Sequence, residues 1–383
     1  MALASGLASQ IGFAIESSYG TATTPAAFLP LVSESMTHKR DRLESSGIIA
    51  GRRILASNQW NGGNITTAGD LSLELYNRGL GKLFTVMFGN VTTTGAGPYT
   101  HTFTPGDLLG DSLTVQVGRP SVDGTVNPFT YTGMKVMSWD LSCNVGEIAK
   151  LKLTFAGQNE TVSRTVSDGV TTSSNTSVTS ATASFASDDV GKPISGTGIA
   201  ANTTIASVTN ATTIVLSQNA TATGTSVALT IGVPLASATY PSTIKPLKFN
   251  HAALTVAGST IKAKGFTLSG NNALADDRRY LGQQTISEPL EKDLRNYDGS
   301  LDLEFTDLTQ YRRYLQASEV ALVISFTSGA DSVTITTNVR LDGETPVVAG
   351  RDILKQKVGF KAIGSSTDAS AVTAVLVNSD STP

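Results

Sequence analysis

The sequence predicts a mainly β chain, and three observations carry that expectation. Apolar and polar residues alternate with a period of two in many separate stretches, turn-forming pairs bound those stretches, and helical periodicity is confined to a few short segments. The alternation is clearest in Leu71–Leu75, Ser112–Val117, Leu151–Phe155, Leu301–Phe305 and Ser332–Thr336. Such alternation puts apolar side chains on one face of a sheet and polar ones on the other. Gly62-Gly63, Asp123-Gly124, Asp298-Gly299 and Asp342-Gly343 mark turns between the runs.

Two segments read as helices, Asn77–Phe88 and Asp307–Ala317, with a short third candidate at Leu274–Leu281. In the second, Asp307 can cap the N-terminus, and Leu308, Tyr311 and Leu315 fall on one face at spacings of three and four. The first carries Gly79 and Gly81, each costing about 1 kcal/mol relative to alanine. Packing of Leu80, Leu83, Phe84 and Met87 must therefore hold it. Trp60, Phe84, Phe88 and Trp139 read as core.

Composition changes sharply at Thr161. Between Thr161 and Tyr240 there are 31 Ser or Thr and five charged residues, Arg164, Asp168, Asp188, Asp189 and Lys192. Disordered chains are charged and poor in β-branched residues. This stretch instead carries short alternating runs at Thr203–Val208, Thr213–Leu216 and Ser226–Ile231, so it reads as a small folded β module. A Pro-bearing linker (Pro234, Pro241, Pro246) follows it.

The flanks of the module read alike. Arg52-Arg53-Ile54-Leu55 is echoed by Arg278-Arg279-Tyr280-Leu281. An alternating strand follows each, Leu71–Leu75 and Leu301–Phe305, and each strand runs directly into one of the two helices. Each half closes with a long hairpin, Phe129–Phe155 turning near Gly146 and Val333–Phe360 turning near Val348-Ala349-Gly350. The expected organisation is a first domain at 1–160, an inserted Ser/Thr-rich β module at 161–240, and a second, duplicated domain at 241–383.

Several function classes lack support. Lys+Arg 28 against Asp+Glu 31 gives a net charge of −3, without the basic excess of a sequence-reading nucleic-acid binder. The single Cys143 forms no internal disulfide and no Cys pair for zinc. His38, His101 and His251 lie at no metal-ligand spacing. There is no GxSxG elbow and no GxxxxGK[ST], and Gly79-Leu80-Gly81 has Phe84 where a dinucleotide fingerprint needs its third glycine. No catalytic, cofactor or metal residues are assigned, and the chain reads as a non-enzyme. No apolar run reaches the length of a membrane span, and the opening residues lack the charged-then-apolar pattern of a secretory signal. Charged residues make up 15%, well below the roughly 25% of an ordinary soluble domain. Such a surface suits a chain that buries much of itself against copies. Candidate contacts between copies are Phe13 and Tyr19 in the Ile11–Pro30 segment, which has no firm secondary-structure signal, the Arg52-Arg53 pair, and the Asp276-Asp277-Arg278-Arg279 cluster in the parallel position.

The sequence resembles the siphophage major tail proteins, the tail tube proteins of long, non-contractile tailed bacteriophages. The resemblance rests on Gly12–Thr21 with Phe28-Leu29-Pro30, on Leu43–Ile48, Gly97–Phe103 and Phe129–Lys135, and on the stretch from Leu341–Thr345 to Ala374–Ser379. It implies two tail-tube-like, β-sandwich or barrel-forming domains with flanking short helices, beside the inserted all-β module. It implies a homo-oligomeric ring, with rings stacked into a virion tail tube and in contact with other tail proteins. The lumen of such a tube holds the tape-measure protein and passes double-stranded DNA without reading its sequence. Most relatives carry one tube domain and form hexamers. A duplicated chain makes a trimeric, pseudo-hexameric ring the favoured expectation, with a hexamer as the alternative. DNA must slide, so the lumen is expected to be neutral to acidic. A carbohydrate-binding adhesin or receptor-binding tail protein is the competing reading; it would need an exposed aromatic cluster or a cation site in the module, whose only aromatics are Phe185 and Tyr240.

Overall fold

The alternating runs form strands throughout. The computed structural model describes residues 5–343, 345–348, 350–351, 353–365 and 370–383. Before the module come β1 (Gln10–Ile15), β2 (Ala27–Leu29), β3 (Ser33–Glu34), β4 (Thr37–Glu44), β5 (Trp60–Glu74), helix α1 (Gly81–Phe88), β6 (Gly89–Thr94), β7 (Tyr99–Pro105), β8 (Leu113–Pro120), β9 (Val126–Asn144), β10 (Lys150–Gly157) and β11 (Asn159–Val162). The module holds β12 (Arg164–Thr171), β13 (Ser177–Thr179), β14 (Ile194–Ser195), β15 (Ile205–Asn210), β16 (Thr213–Leu216) and β17 (Gly224–Ile231). After it come β18 (Ala252–Val256), β19 (Ser259–Ile261), β20 (Ala263–Asn271), β21 (Asn296–Glu304), helix α2 (Thr309–Leu315), β22 (Glu319–Ser328), β23 (Asp331–Asp342), β24 (Lys355–Ala362) and β25 (Val372–Asn378).

The chain folds as two compact units, one made of Met1–Phe28, Leu113–Gly133 and Asn159–Thr239, the other of Leu29–Ser112, Met134–Gln158 and Tyr240–Pro383. In the second unit, β4 pairs with β5, β5 with β10, and β10 with Lys135–Ser142 of β9. The same order recurs as β20 with β21, β21 with β24, and β24 with the end of β23. The register repeats too. Lys150 faces Glu74 as Lys355 faces Glu304, and Phe155 faces Gly69 as Phe360 faces Gly299. Both glycines serve close strand approach: a Cβ on Gly69 would lie 2.5 Å from the Ser35 carbonyl oxygen, and one on Gly299 would overlap that of Thr267. Ser138–Asn144 of β9 pairs in turn with Gly265–Asn271 of β20. The two four-stranded repeats thus form one antiparallel run of eight strands, β4-β5-β10-β9-β20-β21-β24-β23, within a larger sheet in which β23 also pairs with β22 and β25.

One face of this sheet carries the core. Trp139, Leu151, Leu153, Phe155, Leu71, Leu73, Leu268 and Leu301 are buried on it. Trp139 packs between the tilted rings of Phe88 at 5.7 Å and Tyr297 at 6.1 Å, and Phe84 meets Phe103 edge-on at 5.5 Å. Each such side chain contributes about 1.5–3 kcal/mol by leaving water. Seven of the eight residues of α1 are buried and none of α2 is. The hairpin β6–β7, which α1 alone has after it, accounts for part of the difference.

The first unit contains β1 paired with β8, β11 paired with Phe129–Thr132 of β9, and the module. Glu16, 4% exposed, accepts from the Gly20 N–H, the Thr114 hydroxyl and the Gly133 N–H. The module is a six-stranded sheet in the order β14-β17-β12-β13-β16-β15, around Val178, Phe185, Ile205, Ile214, Leu216, Leu229 and Ile231. Its ends meet, because Arg164 pairs directly with Ile231.

Several expectations are corrected. Leu274–Leu281 is not helical; Ala273 has φ +50°, Leu274 bridges to Glu291, and a turn at Leu281-Gly282 ends the stretch. The first helix starts at Gly81, four residues later than expected, because Gly79 takes φ +77° and Asn77 bonds to Lys245 and Asp331. The second shrinks to Thr309–Leu315; the Asp307 carboxylate does accept from the Thr309 N–H at 2.6 Å, but Leu308 and Leu315 are exposed. Trp60 is 48% exposed and not core. The Ile11–Pro30 segment contains two strands, β1 and β2. Glu344 and Ala349, near the second hairpin turn, lie outside the described residues.

Asp189 holds the module's end together. It is 1% exposed and takes both Arg164 guanidinium nitrogens, at 2.8 and 2.5 Å, and the Lys192 ammonium at 2.9 Å. Burial raises its pKa, but the Arg164 and Lys192 bonds win and hold it down at about 2, against 3.8 ordinarily. A depressed carboxyl stabilises the fold fully above its unfolded value and loses that contribution as pH falls through the native one. Module stability should accordingly fall between pH 4 and about 2. Asp189→Asn should cost on the order of 2–3 kcal/mol at pH 7, less than a fully buried pair because Arg164 reaches water. It should also flatten the acid dependence of the module's urea midpoint.

Candidate assembly surfaces

The polar face of the eight-strand run is patterned by charge. Lys150 and Lys152 lie on β10 beside Glu74 and Asp70 of β5, with Lys152 and Asp70 in contact at 2.7 Å. Lys355, Lys357 and Lys361 of β24 lie opposite Glu304, Asp302 and Asp298 of β21. Bonding to Lys152 and Thr154 holds the Asp70 carboxyl below its ordinary range, and Asp70 raises the Lys152 ammonium. Exposed pairs of this kind add little to stability, because water and salt screen them. Their main effect is a face of alternating acidic and basic strands with nearly balanced charge.

The long connections between the first two strands of each repeat carry the Arg-Arg pairs. In repeat 1, residues 45–59 join β4 to β5 and expose Ile48 (98%) and Ile54 (85%), with Arg52 and Arg53 exposed between them. In repeat 2, residues 272–295 join β20 to β21, and this longer connection is tied down. Arg278 donates to the Glu288 carbonyl oxygen. Arg279 donates to the Gln284 carbonyl at 2.9 Å and to the Thr66 hydroxyl at 3.2 Å. Gln284 accepts from Arg40 and donates to the Gly62 carbonyl. The buried Lys135 ammonium reaches the Glu288 carboxylate at 2.5 Å. Arg295 donates to the Phe88 carbonyl at the end of α1.

A family model described as phage tail tube protein matches the chain twice, over residues 6–214 and 194–362. The chain belongs to the phage tail tube protein family. The double match agrees with the repeated sheet and gives the duplication expected from the sequence. No curated protein matches the chain. Membership makes this a structural virion protein of a bacteriophage tail, one that assembles into a tube alongside other tail proteins. Among the described residues no helix is long and apolar enough to cross a membrane, and no cluster of three or more His, Cys, Asp or Glu could hold a metal.

Within this tail tube protein the candidate contact residues separate. Arg52, Arg53, Asp276 and Asp277 are exposed and accessible to another copy. Arg278 and Arg279 are half-buried and fix the β20–β21 connection within the chain. Phe13 is 1% exposed within β1, where it packs in its own chain, and Tyr19 is half-buried just after it. Phe185 lies in the module core at 4% exposure, which removes it from any exposed aromatic cluster. Sequence reasoning missed Lys135–Glu288, because a lone lysine in an alternating strand shows nothing of the distant partner that permits its burial. It also missed His101, buried between the Thr93 hydroxyl and the Asp380 carbonyl, each at 2.8 Å.

Exposed apolar side chains on residues 45–59 contribute nothing to the monomer core. Ile48→Asp with Ile54→Asp should therefore leave the monomer's melting temperature within about 2 °C of wild type. In the tail tube protein the same pair should reduce tube yield at least tenfold, read by sedimentation of assembled material.

Proposed function

We propose that three chains close into a ring and that stacked rings form the tail tube of a long, non-contractile bacteriophage, guiding the tape-measure protein during assembly and DNA during ejection. One observation supports this most strongly: the β9–β20 pairing already joins one four-stranded repeat to the next inside a single chain. Closure needs the same join between chains, from the outer margin of β4 to the end of β23 beyond Arg340, where the pairing with β22 stops. Three chains would supply six repeats, the number that six single-domain subunits supply. Head-to-tail contacts of this kind close into rings when the rotation allows. The charge-balanced face, turned to the lumen, would offer passing DNA few uncompensated cations. A non-enzymatic role and assembly in the host cytoplasm follow from the same reading.

The inferred organisation is a tube domain at 1–160, a decorating module at 161–240 and a second tube domain at 241–383. Adjacent module ends support excision of Arg164–Ile231, sparing Val233–Ala236, because Gln116 bonds to the Val233 and Pro234 carbonyls and to the Ala236 N–H. The excised chain should still form rings with a central hole in electron micrographs, and native mass spectrometry of both proteins should give three chains per ring. Six chains would refute the trimer and leave the tube standing. Protein that stays monomeric under all conditions would refute the tube.

A further inference from the structure

Both repeats close the end of their sheet alike, but among the described residues only repeat 1 has a further segment paired across that end. In repeat 1 the Leu75 N–H donates to the Ala149 carbonyl at 2.8 Å. Leu247 completes the pairing: its N–H donates to the Leu75 carbonyl at 2.7 Å, and its carbonyl accepts from the Ala149 N–H at 2.9 Å. Neighbouring Pro246 and Lys248 bridge to Tyr76 and Ile148. Leu75, Ala149 and Leu247 are all 0% exposed.

In repeat 2 the register makes Phe305 and Leu354 the counterparts of Leu75 and Ala149, and the Phe305 N–H donates to the Leu354 carbonyl at 2.9 Å. No described residue takes the part of Leu247 there. Phe305 and Leu354 stay half-exposed, and Thr306 and Ile353, counterparts of Tyr76 and Ile148, are exposed. A cleft of about 460 Å³ opens at this end of repeat 2, lined by Ile261, Leu303, Glu304, Gln310 and Gln356 among others. It lies along α2, the helix with no buried residue.

The segment that seals repeat 1 runs into a 3-10 turn, Phe249–His251, and then into β18. The counterpart of β18 is β1, since β18 pairs with β22 as β1 pairs with β8. A 3-10 turn, Gly6–Ala8, also precedes β1, and in both turns the residue after it donates back to the first residue's carbonyl. The residues leading into that turn, Met1–Ser5, are uncharged, and Leu7 within it is 97% exposed.

We propose that the segment leading into β1 of a second copy seals the cleft beside α2, as the segment leading into β18 seals repeat 1 within the chain. The inference rests on the ring reading above and names the segment that clasps one chain to the next. Aligning the two turns places Leu3 opposite Thr306, as Pro246 lies opposite Tyr76.

Leu3→Cys and Thr306→Cys, made in separate chains and co-expressed, test it; the native Cys143 is buried. Oxidised tubes should give a disulfide-linked chain pair at least tenfold above either single variant alone. Leu3→Cys with Val122→Cys, exposed elsewhere, should give none. Tubes without the linked pair would overturn the inference and leave the ring reading intact. A chain carrying both Leu3→Cys and Thr306→Cys that closes only on itself, without linking chains, would overturn it too. If the wild-type chain forms no rings, both readings fall.

Discussion

An antiparallel sheet satisfies the backbone of every interior strand and leaves a row of N–H and C=O groups bare along each margin. Repeat 1 alone would end at β9 with such a row, and repeat 2 would begin at β20 with another. Duplication lets the two rows satisfy each other over Ser138–Asn144 and Gly265–Asn271. Beyond its pairing with β5, the stretch of β4 from Lys39 to Glu44 meets no other strand among the described residues of the chain. Isolated molecules must leave this outer margin to water, whereas a closed ring of sheets removes it. Low overall charge, apolar residues on an exposed connection and an open cleft beside α2 are all consistent with that one unmet requirement.

The repeats share a register and have diverged around it. Repeat 1 buries its helix beneath an added hairpin and seals its sheet end with Leu247. Repeat 2 leaves the equivalent helix and sheet end open, yet ties down its long connection through Arg278, Arg279, Lys135–Glu288 and Arg295. The connection of repeat 1 stays exposed and apolar. Each repeat is thus finished where its partner in the chain reaches it and unfinished elsewhere. A protein with a single tube domain must use one surface for every junction, whereas a duplicated chain can specialise its internal and external joins separately.

Much of this fold was legible in the sequence because period-two alternation is a local property. The strands around Leu71–Leu75, Leu151–Phe155 and Leu301–Phe305 were expected where they occur, as were three of the module's six strands, and both helices lie inside longer segments expected to be helical. The Arg-Arg pairs correctly marked equivalent connections. What was hidden depends on distant partners. Arg52 and Arg278 look alike in sequence, but only Arg278 has the Glu288 carbonyl within reach. Trp60 read as core because it is large and apolar, yet it starts a strand at the exposed end of a hairpin. The Leu274–Leu281 stretch has helical spacing that the anchoring of its connection overrides. The Pro-bearing linker after the module gave no sign that Leu247 would act as a strand.

Hydrogen exchange of the β4 amides tests the central claim most directly. The outward-facing N–H groups among Lys39–Glu44 should exchange freely in the monomer. In assembled tubes they should be protected at least a hundredfold, in an alternating pattern matching one newly paired edge. Equal exchange in monomer and tube would show that the margin of β4 stays open, and would contradict closure of the ring through it.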